Sequence, residues 1–436
     1  MLENKIMKNL SLYIHIPFCV RKCSYCDFLS APCDEKTRQR YVDALCKEIE
    51  KKAAEFQERK VDTVFFGGGT PSTLLSGQIE QIMSAVKKVF QVLPDAEISL
   101  EMNPGTVSKE KLETYKKIGI NRLSIGLQSA NNEELKILGR IHTWEEFLKT
   151  WELVQGNGFN NVNVDLMSAL PGQTLESYEE TLRKVLDLKP EHISAYSLIV
   201  EEGTLFYKWF GDEEKQPWKD ECVKNTKKSE ELVISKDWIE EVKNKKLPDE
   251  VTDRQMYEMT KRMLEEQGYY RYEISNYALK GYECKHNIGY WKRKEYLGLG
   301  LGAASLIGNQ RWSNISDLQT YLDVVKQQEE KNQVLYSDEN RKRYEKNKRW
   351  LEEQNILSQT DQMEEFMFLG LRMMEGVSSI EFEKQFGRSL QEVYGKQIAK
   401  LENQGLLQFD NKTGRYALTM KGIDVSNQVF VEFLFE

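Results

Sequence analysis

Short apolar runs alternate with amphipathic stretches through the first half of the chain. The runs Leu12–Ile16, Thr63–Phe66, Ile98–Met102, Arg122–Leu127, Val162–Leu166 and His192–Leu198 read as buried strands. Between them apolar residues recur at helical spacing near Thr37–Phe56, Gln78–Phe90, Lys109–Ile118, Glu133–Leu138, Thr143–Gln155 and Leu175–Leu188. Such alternation points to a parallel sheet with right-handed crossovers. Six units fall short of a closed eight-fold barrel and suit a partial one; a doubly wound sheet is the competing arrangement. The strand ends favour the barrel. A cysteine loop follows the first strand, Gly67-Gly68-Gly69-Thr70-Pro71 the second and Glu101-Met102-Asn103-Pro104-Gly105 the third. Gly126-Leu127-Gln128 ends the fourth, Asp165 lies on the fifth and Tyr196 to Ile199 on the sixth. Parallel barrels gather their ligand site at that rim.

Beyond residue 203 the periodicity loosens. Residues 211–250 are charged and weakly periodic, and read as an insertion or lid. An amphipathic helix from Asp253 to Gln267, then strand-like Tyr269–Ile274 and Leu297–Leu301, extend the barrel through residues 251–326. Residues 327–362 are strongly charged and read as a helical linker. A small domain over residues 363–436 closes the chain. Its helices fall near Glu364–Met374 and Ile380–Phe386, with a third ending at Gly405, before a hairpin of Leu406–Phe409 and Tyr416–Leu418. The expected fold is therefore α/β: a partial (β/α)6 barrel over residues 1–210 with a small C-terminal winged-helix-like α+β domain. That domain is not markedly basic, so a protein contact or lid suits it better than DNA.

Composition narrows the class. The chain has 436 residues, enough for one large domain and a smaller one. Its net charge of −8 speaks against nonspecific nucleic-acid binding. No apolar run approaches the ~20 residues of a membrane span, which leaves only a peripheral membrane contact open. The first ten residues lack a signal-peptide core. Seven cysteines, without the spacing of a disulfide scaffold, fit a reducing cytoplasm.

Cys19, Cys23 and Cys26 are spaced Cys-x3-Cys-x2-Cys, with Arg21 and Lys22 inside the loop. Positive charge there favours thiolates. Three soft donors are one short of a closed zinc site, whereas a [4Fe–4S] cube held by three thiolates leaves one iron open. Ordinary buried thiols, or a zinc site completed by Cys33, Cys46 or His15, are the plainer readings. With the strand-like Tyr13 to Phe18 before it and Tyr25 and Phe28 flanking its last cysteine, the motif resembles the signature of radical S-adenosylmethionine (SAM) enzymes. The resemblance implies a [4Fe–4S] cluster on the three cysteines and SAM on the fourth iron. Reduction of the cluster then cleaves SAM to a 5′-deoxyadenosyl radical.

Gly67 to Gly69 alone would be a tight strand–helix turn. Beside the cysteines it resembles the superfamily's glycine motif, which implies that Gly68, Gly69 and Thr70 receive the SAM amino group. Glu101, Gln128, Arg140 and Asp165 are singly ordinary loop or cap residues. Together they resemble the SAM pocket of the coproporphyrinogen-oxidase-like branch. That resemblance implies Arg140 on the SAM carboxylate, a charge-assisted contact suited to guanidinium. It places Gln128 and Asp165 on the ribose hydroxyls, Glu101 at the amino end, Tyr25 and Ile199 beside the adenine, and Tyr13 near the cluster-bound end.

The run His286-Asn287-Ile288-Gly289-Tyr290-Trp291 contains one of only four histidines. A turn with aromatic packing would account for it. It also resembles the His-Asn-x-x-Tyr-Trp motif of the HemW haem chaperones, and histidine is a common axial haem ligand. His286, Tyr290 and Trp291 are then the expected haem contacts, with Cys284 as an alternative. The oxygen-independent coproporphyrinogen dehydrogenases carry a fourth cysteine where this chain has Phe28, and a longer N-terminal extension. Both departures favour the chaperone branch. The resemblance implies a cytoplasmic protein with a cluster, SAM and haem, which hands haem to an acceptor protein. No catalytic residue follows from the motifs. Radical decarboxylation of a porphyrinogen, or an interaction protein with a structural metal, are the alternatives.

Overall fold

A computed structural model describes residues 9–56, 58–211, 236–332 and 351–435. Six βα units form its centre. Strands β1 (Leu10–Ile16), β2 (Lys60–Gly68), β3 (Gln91–Met102), β4 (Arg122–Gln128), β5 (Val162–Ser168) and β6 (His192–Ser197) pair in chain order, every neighbour parallel. A doubly wound sheet reverses its strand order at a switch point; this one does not, and winds one way as a partial barrel. β1 is buried along nearly its whole length, as strands covered on both faces are.

The helices between the strands are stopped and started by local chemistry. Asp34, Ser108, Asn131, Thr143 and Thr174 each accept a backbone N–H of the first turn they precede. A cap of this kind contributes about 1 kcal/mol. The apolar faces of these helices and the alternate strand residues that face them share one core, including Ile14, Tyr41, Val64, Leu100, Ile125, Val164 and Leu182.

The sheet runs on at both edges. β7 (Tyr270–Glu273) and β8 (Asn276–Ala278) form a hairpin, and β8 pairs antiparallel with β6. At the other edge β9 (Tyr296–Leu299) lies parallel to β1, followed by β10 (Ala304–Ile307), β11 (Gln310–Asn314) and β12 (Leu351–Ile356). The result is one twelve-stranded mixed sheet. The helical linker expected over 327–362 is corrected here, because Leu351–Ile356 is an edge strand on β11. Its central residues, Glu352, Glu353, Gln354 and Asn355, are all polar and exposed, which suits an exposed edge and hides its strand character in the sequence. Residues 333–350 of that segment lie outside the described residues.

The expected insertion over 211–250 is described only in part, since residues 212–235 lie outside the described residues. Its end is a helix, Lys236–Lys243, whose Val242 is buried with Leu138, Met167, Leu170 and Phe206. The C-terminal domain has helices Gln359–Gly370, Ser379–Phe386 and Leu390–Asn403 and a small antiparallel sheet. In it β15 (Arg415–Leu418) lies between β13 (Val377–Ser378) and β14 (Leu407–Asp410). This is the winged-helix arrangement, with its own apolar core around Phe382, Tyr394 and Leu401.

Candidate functional site

The C-terminal ends of all six parallel strands open into one cavity of about 490 Å³. Cys19, Cys23, Cys26 and Tyr25 line it from the loop after β1, and Gly68, Gly69 and Thr70 from the end of β2. Glu101 on β3, Gln128 on β4, Arg140 beyond it, Asp165 on β5 and Ile199 after β6 complete the expected set. Residues up to 180 positions apart in the chain thus meet because each ends a strand of one sheet.

The two glycines are needed where they stand. A Cβ on Gly69 would lie 2.7 Å from the backbone oxygen of Phe18, which begins the cysteine loop. Gly69 N–H donates to Ile16 O at 2.8 Å and Thr70 N–H to Phe18 O at 2.7 Å, so the β2 end and the cysteine loop are tied backbone to backbone. Gly68 has φ +109, a conformation open mainly to glycine, and its N–H donates to Glu101 Oε2 at 3.1 Å. Gln128 adopts φ +76, unusual for a residue with a side chain. Such strain gathers at ligand sites. Its Oε1 accepts from Tyr196 Oη at 3.1 Å.

Charge inside the cavity is held in an uneven balance. Arg140 donates to Asn103 Oδ1 at 2.7 Å, to Gly126 O and to Cys23 Sγ at 3.6 Å. Its Nε is buried with no partner. Arg21 fastens this turn to the cysteine loop by donating to Gly139 O at 3.1 Å and Arg140 O at 3.0 Å. Burial, then the nearby Asp165, pushes the Glu101 carboxyl up to about 8. Burial also raises Asp165, against the hydrogen bonds of Asn163, Ser194 and Ser124 and the charge of Arg140. Burial pushes the Cys26 thiol up to about 11. A thiol so placed becomes a thiolate readily only with a metal or cation beside it. Among the described residues no three of His, Cys, Asp and Glu converge as ligands of a single ion. A cube of four irons takes each thiolate on a separate metal. The orphaned Arg140 Nε and a Glu101 carboxyl with no cation beside it fit a ligand carrying both a carboxylate and an ammonium, as SAM does.

Other expected residues lie elsewhere. Tyr13 is not among the lining residues; its hydroxyl is 3.1 Å from His15 Nδ1, whose Nε2 is 2.9 Å from Leu29 O. His286 is 1% exposed, with Nδ1 2.8 Å from Thr63 Oγ1 and Nε2 2.9 Å from Tyr290 Oη. Its ring stacks on Phe65 at 4.9 Å. Burial pushes it down to about 3, so it is neutral and both nitrogens are engaged. In this conformation both ring nitrogens are hydrogen-bonded, to Thr63 and Tyr290, and the ring lies in the core away from the open groove. Tyr290 is committed to His286, and Cys284 is buried with Sγ 3.6 Å from Glu97 Oε1. Glu97 also accepts the N–H groups of Lys285 and His286, and so caps the helix Lys285–Trp291 that carries the motif. Only Trp291 reaches an open groove, of about 1090 Å³, which it shares with Phe366 and Met373 of the C-terminal domain.

Several cavity residues had no sequence signal of their own. Asn103 stood in the third strand-end group and Asn287 in the histidine motif, both without an assigned role; both line the cavity. Ser124, Ser194 and Asn276 also line it. Asn276 comes from the β7–β8 hairpin, far from the six units in sequence.

Comparison with known proteins agrees with this geometry. Residues 13–185 match the Radical SAM superfamily, and residues 357–425 the HemN C-terminal domain. The chain is 34% identical over 431 residues to the heme chaperone HemW of Lactococcus lactis subsp. lactis (strain IL1403), across 99% of both chains. It is also 34% identical to the heme chaperone HemW of Bacillus subtilis (strain 168), across 98% of this chain and 99% of that one. The chain belongs to the HemW family. Its fold matches that of coproporphyrinogen III oxidase (HemN) from Escherichia coli, described as a radical SAM enzyme. The TM-score is 0.75 over 98% of this chain and 90% of that one, at 24% identity, a likeness of fold alone. The likeness to the HemW relatives thus runs over both the barrel and the C-terminal domain. Among the described residues no helix is long and apolar enough to cross a membrane.

Proposed function

We propose that this protein is a cytoplasmic haem chaperone of the radical SAM type. In this reading Cys19, Cys23 and Cys26 hold a [4Fe–4S] cluster, the cavity takes SAM, and haem is bound and passed to an acceptor protein. The observation that carries it is the full-length likeness to relatives named heme chaperone, joined to a cavity that gathers the three cysteines with Glu101, Gln128, Arg140 and Asp165. When bound, the cluster and SAM would supply one-electron reduction. The chain's own residues have positional tasks. Arg140 offers its buried guanidinium to a carboxylate, Glu101 offers a carboxylate to an ammonium, and Asp165 and Gln128 offer acceptors to hydroxyls. Arg21 keeps the cysteine loop and the Arg140 turn in one geometry. Haem contact is assigned to the groove lined by Trp291, Phe366 and Met373, because aromatic and apolar side chains at an open groove suit a porphyrin.

The test is a haem titration of the anaerobically reconstituted protein, followed by coproporphyrinogen III with SAM and a reductant. Stoichiometric haem binding without decarboxylated product is expected. Protoporphyrinogen formation with matching SAM cleavage would replace this reading by the decarboxylase one. Cys23→Ala is expected to abolish cluster absorbance, iron and sulfide; a full cluster in that variant would remove the cysteines from the site.

A further inference from the structure

The β7–β8 hairpin places a buried carboxylate between the cavity and the C-terminal domain. Glu273 has no exposed surface. Its Oε1 accepts from Ser275 N–H at 2.9 Å and from the Asn276 amide nitrogen. An ionised carboxylate only accepts, so it turns the nitrogen of Asn276 toward itself and the oxygen away. Asn276 Oδ1 is then a buried acceptor with no partner, on a residue that lines the cavity. The backbone of Asn276 pairs with Ser194, whose other neighbour in register is Asp165. A buried acceptor left unpaired carries its full desolvation penalty, which a ligand donor would recover.

The far side of Glu273 belongs to the C-terminal domain. Arg372 Nη2 lies 3.7 Å from Glu273 Oε2, and its guanidinium covers the Trp291 ring at 4.3 Å. Ile274 N–H donates to Arg372 O at 3.1 Å and Met374 N–H to Tyr272 O at 3.0 Å, so residues 372–374 lie along β7 as a short added strand. Neither Arg372 Nε nor Glu273 Oε2 has a hydrogen-bond partner. The contact is a charge held at fixed distance by backbone pairing.

We propose that Asn276 contacts the ligand of the cavity through an accepted hydrogen bond, that Glu273 is its positioning residue, and that the docked C-terminal domain sets Glu273 through Arg372. The ligand group is an N–H or O–H donor on the adenosyl side of SAM, next to Asp165. This rests on the reading that the cavity takes SAM. In Glu273→Gln the new amide can donate to Asn276 Oδ1, so the Asn276 amide turns and presents its nitrogen to the cavity instead.

The experiment measures SAM affinity by equilibrium dialysis on anaerobically reconstituted, full-length protein. Iron content and melting temperature are recorded for every variant. Glu273→Gln and Asn276→Ala are each expected to weaken binding about three- to tenfold. Arg372→Met gives a smaller loss without touching the buried carboxylate. In the Asn276→Ala background, Glu273→Gln and Arg372→Met cause no further loss, because they act through that amide. Losses that add in the double variants, or single variants that bind as the parent does, overturn the proposal. A parent protein that keeps its cluster yet binds no SAM overturns the underlying reading instead.

Discussion

Glu101 shows what burial does to a carboxylate with no cation beside it. Its carboxyl rises to about 8, chiefly by burial and further by Asp165, so the folded chain keeps it protonated where the unfolded chain has already released the proton. Its contribution to stability is full below the ordinary carboxyl range and is lost as pH rises toward about 8. An ammonium-bearing ligand reverses this by favouring the carboxylate. SAM affinity is therefore expected to climb between about pH 6 and 8 and to be flat in Glu101→Gln, measured by calorimetric titration. A parent profile as flat as the variant's would show that Glu101 faces no cation. His286 makes the opposite point. Its ring is a hydrogen-bonded brace between Thr63 and Tyr290, stacked on Phe65. His286→Ala should destabilise the protein by about 2–4 kcal/mol, seen as a lower melting temperature, and leave haem affinity nearly unchanged. A large loss of haem affinity with unaltered melting would restore the histidine to the haem site.

The elements that matter most are the ends of β1 and β2. Gly69 lets the β2 end lie against Phe18, and the cysteine loop takes its path from that contact. Gly69→Ala has to push the loop away. It is expected to lower iron and sulfide incorporation while the far-ultraviolet circular dichroism stays that of the parent. The helix Lys285–Trp291 is set in the same way by a neighbour, since Glu97 on β3 caps it. Its direction buries His286 and leaves Trp291 at the groove, so one seven-residue helix divides the motif between core and surface.

At the scale of the molecule, the C-terminal domain is held by a buried ion pair as well as by the added strand at 372–374. Glu365 meets Arg293 at 2.7 Å, both nearly inaccessible, and Arg311 of β11 at 2.5 Å. Removing one partner of such a pair strands the other and costs about 3–5 kcal/mol. Glu365→Ala should therefore split thermal unfolding, with the C-terminal domain melting first in scanning calorimetry. A single transition at the parent temperature would mean that apolar contacts alone hold the domain.

Much of this was legible in the chain. The six strand–helix units, the cysteine loop and the polar residues at successive strand ends follow from local periodicity and from the rule that parallel strands present their C-terminal ends to one side. The winged-helix-like domain follows from its turn residues and short helices. Other features depend on what lies opposite. The edge strand Leu351–Ile356 is polar and exposed at its four central residues, with no alternating apolar signal, and only its pairing with β11 shows it to be a strand. Asn276 and Asn287 look like ordinary loop residues until the sheet closes round and brings them to the cavity. His286 reads as a metal ligand in one dimension, because a sequence lists a side chain without its partners. Packing decided that its two nitrogens are already bonded, and that Trp291 is the residue of the motif that lines the groove.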